Sequence, residues 1–418
     1  MYACGLDFGT TNSTFSYVGQ NGSVELVKLE KDHETLPSTV FYNFEDGDAY
    51  FGREALDQYV DGEFGRLMRS LKSVLGTSLM HDKTQVQGRS IAFEDIISSF
   101  LKEMKDRSEQ STGNSFENVV LGRPVYFIDE DEKADLDAQN TLKNAALKAG
   151  FKNIEFQYEP IAAALDYEQS VECEELAMIV DLGGGTSDFS VVKVSPEGAL
   201  KTDRKGDILA TGGVHIGGVD FDRRLSLQTV MPELGYRMRF KDNQAQEFPV
   251  YYHQNLATWH KIHFLYDKET FISLKSMLQQ VEYKNRLERL LNVIENKEGH
   301  RVAMAVEQAK INLTHEDAQK ILLNYIEKDL TVHVTQNDLN MAIQAELDRV
   351  CASAIETVKR AGVELADITK VFLTGGSTSI PHVRHSILKL FPQAEVIDGH
   401  KFGSVGTGLG VHAKRIFA

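Results

Sequence analysis

Residues 5–18 read GLDFGTTNSTFSYV, and residues 179–192 read IVDLGGGTSDFSVV. Laid over one another, Asp7 falls on Asp181, Gly9 on Gly183, Phe15 on Phe189, Ser16 on Ser190 and Val18 on Val192. Each copy is an apolar run, an Asp, a turn rich in Gly and Thr, and a second alternating run. That is the pattern of a strand, a tight turn and a returning strand. Two copies predict two related lobes, each offering one hairpin loop. Such a loop suits an anion, because glycines without Cβ atoms let backbone N–H groups converge. Thr10, Thr11 and Thr186 add hydroxyl donors. Asp7 and Asp181 would repel a bare phosphate. They make sense with Mg²⁺ between, held largely through water.

The rest of the chain reads as α/β. Residues 118–127 predict a strand ending at Pro124, and 132–149 a helix with Leu136, Leu142, Ala145, Ala146 and Ala149 on its apolar side and Gly150 as its stop. A strand FQYEP and a helix opening with Pro160 follow. Residues 336–362 carry apolar positions at steps of three and four, with Thr335 and Asp338 as a capping box. The strand KVFLT (370–374), the turn GGSTS and a helix from Pro381 repeat the theme. The stretch 226–300 is polar, aromatic and charged, and reads as an inserted helical subdomain. No Pro-, Ser- or Gly-rich linker divides the chain.

Composition narrows the classes of function. At 418 residues the chain exceeds the size at which one core keeps growing. A net charge of −16 argues against a nucleic-acid partner. Cys4, Cys173 and Cys351 are odd in number and far apart, which fits a reducing cytoplasm. The N-terminus has no signal-peptide pattern, no apolar run is long enough to span a membrane, and the histidines, His400 included, show no ligand spacing. There is no P-loop motif. A G-x-G-x-x-A match at Gly408, Gly410 and Ala413 has no room for a βαβ unit and is set aside.

Six motifs in order give the chain a family likeness: GLDFGTTNS (5–13), YEPIAAALDYE (158–168), VDLGGGTSDFSVV (180–192), ILATGGVHIGGVDFDRRL (208–225), VEQAKINLT (306–314) and FLTGGSTSIPHVR (372–384). Together they resemble the nucleotide-binding domain of the seventy-kilodalton heat-shock chaperones of the DnaK type. The segments LGRPVYF (121–127), FQYEPIAAALDYE (156–168), LTGGS (373–377) and FGSVGTGL (402–409) most resemble short stand-alone homologues of the YegD type. The resemblance implies an actin-like ATPase fold, which is a duplicated ribonuclease H-like α/β fold with two lobes around a nucleotide cleft. Lobe I would be 1–172, with its core in 1–36 and 110–172, residues 396–418 returning to it, and a small subdomain at 37–109. Lobe II would be 173–395, with its core in 173–212 and 336–395 and an expanded helical tip at 213–335. Set against the resemblance, the sequence to Ala418 is expected to match the family's nucleotide-binding half and not its peptide-binding half. The resemblance therefore implies a slow ATPase switch whose movement is read by a client or co-chaperone, the 226–300 insert being one place for it. A cytoplasmic monomer is expected.

The resemblance also distributes roles. Asp7, Asp181 and Glu159 would hold hydrated Mg²⁺ or its water, and Lys72 would reach over the γ-phosphate of ATP. Thr186 and Asp188 would place the attacking water. Gly9, Thr10, Thr11 and Asn12, with Gly183, Gly184, Gly185 and Thr186, would cradle the phosphates of ATP or ADP. Gly217, Gly218, Glu307, Lys310, Ile311, Thr314, Gly375, Gly376, Ser377 and Ser379 would surround the nucleoside. The residues themselves lend support at the helix 302–314, where Val302, Val306, Ala309 and Leu313 form a buried stripe and Glu307, Lys310 and Thr314 share another face. The bland alternative for Glu307 and Lys310 is an exposed ion pair. Three features depart from the family pattern. Ser379 stands where an adenine-stacking arginine is usual, Val219 replaces an acid, and the stretch from Asp222 to Glu307 is roughly fifty residues longer than usual. Two other functions stay open: a small-molecule kinase of the same superfamily, and a nucleotide-binding scaffold or filament with little turnover.

Overall fold

Both quoted stretches form antiparallel hairpins, and each hairpin nucleates a sheet of the same order. Ten strands make up the two main paths. In the first sheet these are β1 (Tyr2–Asp7), β2 (Asn12–Val18), β3 (Val24–Leu26), β4 (Phe116–Arg123) and β5 (Asn153–Tyr158). In the second they are β6 (Glu175–Leu182), β7 (Ser187–Val194), β8 (Ile208–Val214), β9 (Lys370–Thr374) and β10 (Glu395–Asp398). The first sheet runs β5-β4-β1-β2-β3, with the strand Thr35–Pro37 also paired to β2, and the second runs β10-β9-β6-β7-β8. In each, the first three strands are antiparallel neighbours and the last two add in parallel. The register agrees with the sequence repeat: Leu6 faces Phe15 and Gly5 faces Ser16, as Val180 faces Phe189 and Ile179 faces Ser190. The computed structural model describes residues 2–417, apart from 20–21, 78–79, 81–82, 87, 129–130, 169–170, 199–200, 202 and 399–402, so His400 lies outside the described residues.

The helices repeat as well. Parallel neighbours need crossovers, and α1 (Phe93–Thr112) precedes β4 while α2 (Glu132–Lys148) links β4 to β5. In the second half α6 (Gln336–Arg360) precedes β9 and α7 (Pro381–Leu388) links β9 to β10, after α4 (Gly218–Thr229) and α5 (Gly299–Asn312). The closing helices are α3 (Glu159–Glu168) after β5 and α8 (Ser404–Phe417) after β10. They pack on each other, α8 along β1, β2 and β4 and α3 against β6, β7 and β9. Small residues make this contact close: a Cβ on Gly408 would lie 1.8 Å from Ala162 O, and one on Gly5 would lie 2.4 Å from Gly410 N. Close packing thus explains the glycines of the discarded motif.

Compactness divides the chain into Met1–His215, Ala352–Thr378 and Leu388–Ala418 as one unit, and Ile216–Cys351 with Ser379–Ile387 as the other. Both main sheets lie in the first unit. It also holds a three-stranded sheet of Thr39–Asn43, Ala49–Phe51 and Gly65–Arg69. The second unit holds α4, α5, the start of α6, and the stretch 226–300, which is mostly short helices with one two-stranded ribbon at 239–247. The α6 capping box forms as its spacing predicts: Asp338 Oδ2 accepts from Thr335 N at 2.9 Å, and Asp338 N donates to Thr335 Oγ1 at 3.2 Å. Two sequence expectations need correction. The strand expected to end at Pro124 spans Phe116–Arg123 and stops one residue earlier, because Pro124 cannot continue the ladder. Leu136, expected on the apolar side of α2, is 54% exposed. It sits two residues, about 200° of helical rotation, from the buried Ala138.

Candidate functional site

Each hairpin carries its Asp at or next to the strand end, so the acid projects beside its own loop. Asp7 is the last residue of β1, opposite Thr14, and Asp181 is next to last in β6, opposite Asp188. Directly opposed residues on antiparallel strands share a face about 5 Å apart, so Asp188 adds a second carboxylate beside Asp181. The Gly183 N–H donates to Thr186 O at 3.0 Å and closes the second loop. Thr186 Oγ1 donates to Asp188 Oδ2 at 2.7 Å. Ser38 holds the first loop, its Oγ donating to Gly9 O at 2.7 Å and its N–H to Thr11 O at 2.8 Å.

Glycine is required at several of these positions by close approach. A Cβ on Gly9 would lie 2.0 Å from Asn12 O, and one on Gly184 would lie 1.7 Å from Thr11 Oγ1. A Cβ on Gly185 would stand 3.6 Å from Thr10 Cγ2, so loops 9–12 and 183–186 meet face to face. Gly375 has φ +79°, and a Cβ there would lie 2.4 Å from Leu182 O and 2.7 Å from Asp181 Oδ1. Ser377 Oγ donates to Gly183 O at 3.3 Å, which brings Gly375, Gly376 and Ser377 beside the second loop.

Lys72 and Glu159, 87 residues apart, form an ion pair of 2.6 Å with side chains only 12% and 14% exposed. Ser70, at φ +58°, turns the chain so that Leu71 is buried and the 3₁₀ turn Leu71–Val74 carries Lys72. Glu159 is the first residue of α3. Burial pushes the Asp7 carboxyl up to about 7, with Glu159 and Asp181 adding to the rise and Lys72 opposing it. Burial and Glu159 raise Asp181 to about 6. Burial also takes Asp188 to about 7, against the Thr186 hydrogen bond and with help from Asp181 and Glu159. For Lys72 burial acts downward, but Glu159, Asp7 and Asp181 outweigh it and the ammonium is held above its usual value.

Four carboxylates therefore lie around one ammonium in a buried place, and burial first, with their mutual repulsion second, raises Asp7, Asp181 and Asp188 above the usual carboxylate range. Such a donor set is short of positive charge and made of hard oxygens, which suits Mg²⁺. Among the described residues no three His, Cys, Asp or Glu side chains converge closely enough to hold a metal ion. Asp7, Asp181 and Glu159 could hold one through water.

The remaining candidates lie in the second unit. Gly217 precedes α4 and its N–H donates to Asp220 Oδ2 at 3.0 Å. Lys310 is only 9% exposed; its Nζ donates to Gly218 O at 3.1 Å and pairs with Asp222 at 2.8 Å. Lys310 is thus buried, and it ties α5 to the start of α4. Thr314 Oγ1 donates to Ile311 O at 2.7 Å, and Ile311 is 47% exposed. Glu307 is half-buried on α5, and Ser379 is half-buried at the end of the turn Gly376–Ser379. Val302, Val306, Ala309 and Leu313 are buried, as the stripe predicts. Sequence reasoning missed Ser38, whose signal was slight, and Gly122 and Arg123, which interrupt an apolar run just before Pro124.

Two sheets of one topology, each placing an aspartate beside a glycine-threonine turn, define the duplicated actin-like ATPase fold. A model of the family described as Hsp70 protein matches residues 3–233 and 275–408, and the chain belongs to that family. Among its relatives, the Chaperone protein DnaK of Thermosipho melanesiensis is 26% identical over 397 residues, covering 93% of this chain and 55% of the relative. The DnaK proteins of Thermosipho africanus and Thermotoga maritima match at the same identity and coverage. The chain thus spans about half the length of the curated relatives it matches. Residues 234–274 fall outside the family match, within the stretch read as an insert.

Proposed function

We propose that the chain binds ATP with Mg²⁺ and hydrolyses it slowly, as a chaperone-type switch whose lobes, 1–172 and 173–395, change disposition with the nucleotide. The observation that carries this reading is the meeting of loops 9–12 and 183–186 beside the buried Lys72–Glu159 pair. The loops supply backbone N–H groups and the Thr10, Thr11 and Thr186 hydroxyls for the phosphates. Asp7 and Asp181 would hold a hydrated Mg²⁺, which would supply neutralisation of phosphate charge. Lys72, kept protonated by its carboxylate neighbours, stabilises charge developing at the transferred phosphoryl group. Glu159 and Thr186 orient the attacking water. Asp188, which accepts from Thr186 Oγ1 at 2.7 Å, helps to place that water. Gly217, Gly218, Glu307, Lys310, Ile311, Thr314, Gly375, Gly376, Ser377 and Ser379 serve the nucleoside. Among the described residues no helix is long and apolar enough to cross a membrane, and we place the protein in the cytoplasm as a monomer serving a protein client or co-chaperone.

Calorimetric titration with ATP tests the binding step. Wild type should bind in a Mg²⁺-dependent manner. Gly184→Val, whose side chain would enter the space of Thr11, should bind at least ~100-fold more weakly, because the loops could no longer close on the phosphates. Absence of binding by wild type, or an unaffected variant, contradicts the proposal.

A further inference from the structure

Arg123 is among the most heavily engaged side chains near the site, and no role above uses it. It ends β4, one residue after Gly122, where a Cβ would lie 3.3 Å from Glu159 Cγ and 3.5 Å from Glu159 Oε1. The Glu159 side chain therefore rests over the backbone that leads into Arg123. The arginine is 8% exposed. Its Nε donates to Pro124 O at 3.0 Å and its Nη2 to Val125 O at 3.1 Å. Nη2 also donates to both oxygens of Asp135, at 3.0 and 2.7 Å, and Nη1 donates to Gln139 Oε1. Asp135 in turn accepts from the Phe127 N–H at 2.6 Å, so residues 123–127 are drawn onto α2. The guanidinium carbon lies 5.2 Å from the Phe127 ring centre and 5.4 Å from that of Tyr158. Tyr158 is paired in register with Arg123 and is the residue before Glu159.

We infer that Arg123 is a positioning residue for Glu159: it sets the junction of β5 and α3 through the face of Tyr158, and sets the seat of the carboxylate through Gly122. The chemistry favours arginine here. A planar guanidinium can lie on an aromatic ring while its edge donates to several acceptors, which an ammonium cannot do. The charge is balanced locally by Asp135, so Arg123 acts on Glu159 through geometry and not through its field. This inference rests on the ATPase reading above.

The test compares Arg123→Met, Tyr158→Leu and Tyr158→Phe, each alone and combined with Glu159→Gln, in single-turnover ATP hydrolysis and MgATP binding. Arg123→Met leaves Asp135 without its partner and can fail to fold. Tyr158→Leu removes only the ring face and leaves the Arg123–Asp135 pair intact. Expected is a loss in rate of about tenfold for Tyr158→Leu and for any folded Arg123→Met, since an ångström's misplacement can cost up to about a hundredfold. The MgATP Kd should stay within about twofold, and Tyr158→Phe should match wild type. In the Glu159→Gln background Tyr158→Leu should change the rate less than about twofold, because the group it positions is gone. The same loss in both backgrounds, or no loss from Tyr158→Leu, overturns this inference and leaves the ATPase reading standing. A wild type that binds MgATP without turning it over overturns both.

Discussion

The contact between α3 and α8 makes a quantitative demand on one glycine. Gly408→Ala would place a methyl carbon 1.8 Å from Ala162 O, 2.5 Å from its carbonyl carbon and 2.9 Å from its Cα. Ordinary contact begins near 3.4 Å, so the helices would have to part by 3.4 − 1.8 = 1.6 Å along that direction. The obstacle is backbone, so no rotamer change relieves it. Overpacking a tight interior costs about 1–3 kcal/mol, and a clash with main chain belongs at the upper end. Replacing glycine by alanine inside a helix returns about 1 kcal/mol. A net destabilisation of about 2 kcal/mol follows, read as a lower urea midpoint with an unchanged slope. Gly206→Ala is the control: nothing lies within 4 Å of its added carbon, and its stability should stay within about 0.5 kcal/mol of wild type. A Gly408→Ala protein as stable as wild type would refute the argument that small residues set the separation of these helices.

Two further predictions concern buried charge. Arg204 and Glu168 form a two-pronged pair of 2.5 and 2.6 Å with side chains 2% and 1% exposed, and Arg204 Nε also bonds Asp207 at 2.6 Å. Arg204→Met strands Glu168 and should cost about 3–5 kcal/mol by urea denaturation, most of it recovered in Arg204→Met/Glu168→Met; a single variant within about 1 kcal/mol of wild type would contradict this. His253 is fully buried with Nε2 3.0 Å from Leu234 O, and burial takes its pKa from 6.5 down to about 4. The folded state holds the neutral ring, so its share of stability is full above pH 6.5 and is lost as pH falls toward 4. That share is at most about 3 kcal/mol. His253→Phe should lose less stability than wild type between pH 7 and pH 4.5, and parallel pH profiles would contradict the assignment. Asp7, Asp181 and Asp188 carry the opposite sign, since raised carboxyl values favour the fold at lower pH. Only the difference between variant and wild type therefore isolates His253.

Legibility in the sequence followed the range of the interaction. The hairpins at Asp7 and Asp181, the strand Lys370–Thr374 and the helix from Pro381 are local patterns, and they stand where periodicity and turn chemistry put them. The resemblance brought Lys72 and Glu159 into one site, whereas 87 intervening residues hide their 2.6 Å contact from any local rule. Lys310 shows the limit of helical-face arguments: it is one step from the buried Ala309, and the acid that buries it, Asp222, lies on another helix. Leu136 shows the reverse, an apolar residue on the expected apolar side that is left exposed. Arg123 was invisible as a participant, because what it does depends on which ring and which carboxylate the fold brings alongside.

The most direct test of the central claim is single-turnover hydrolysis of γ-labelled ATP with Mg²⁺, wild type beside Asp181→Ala and Lys72→Ala. The account predicts slow phosphate release by wild type that falls at least ~100-fold in both variants, the loss expected when a group stabilising the transition state is removed. Binding without release in wild type, or release that survives both substitutions, would contradict it.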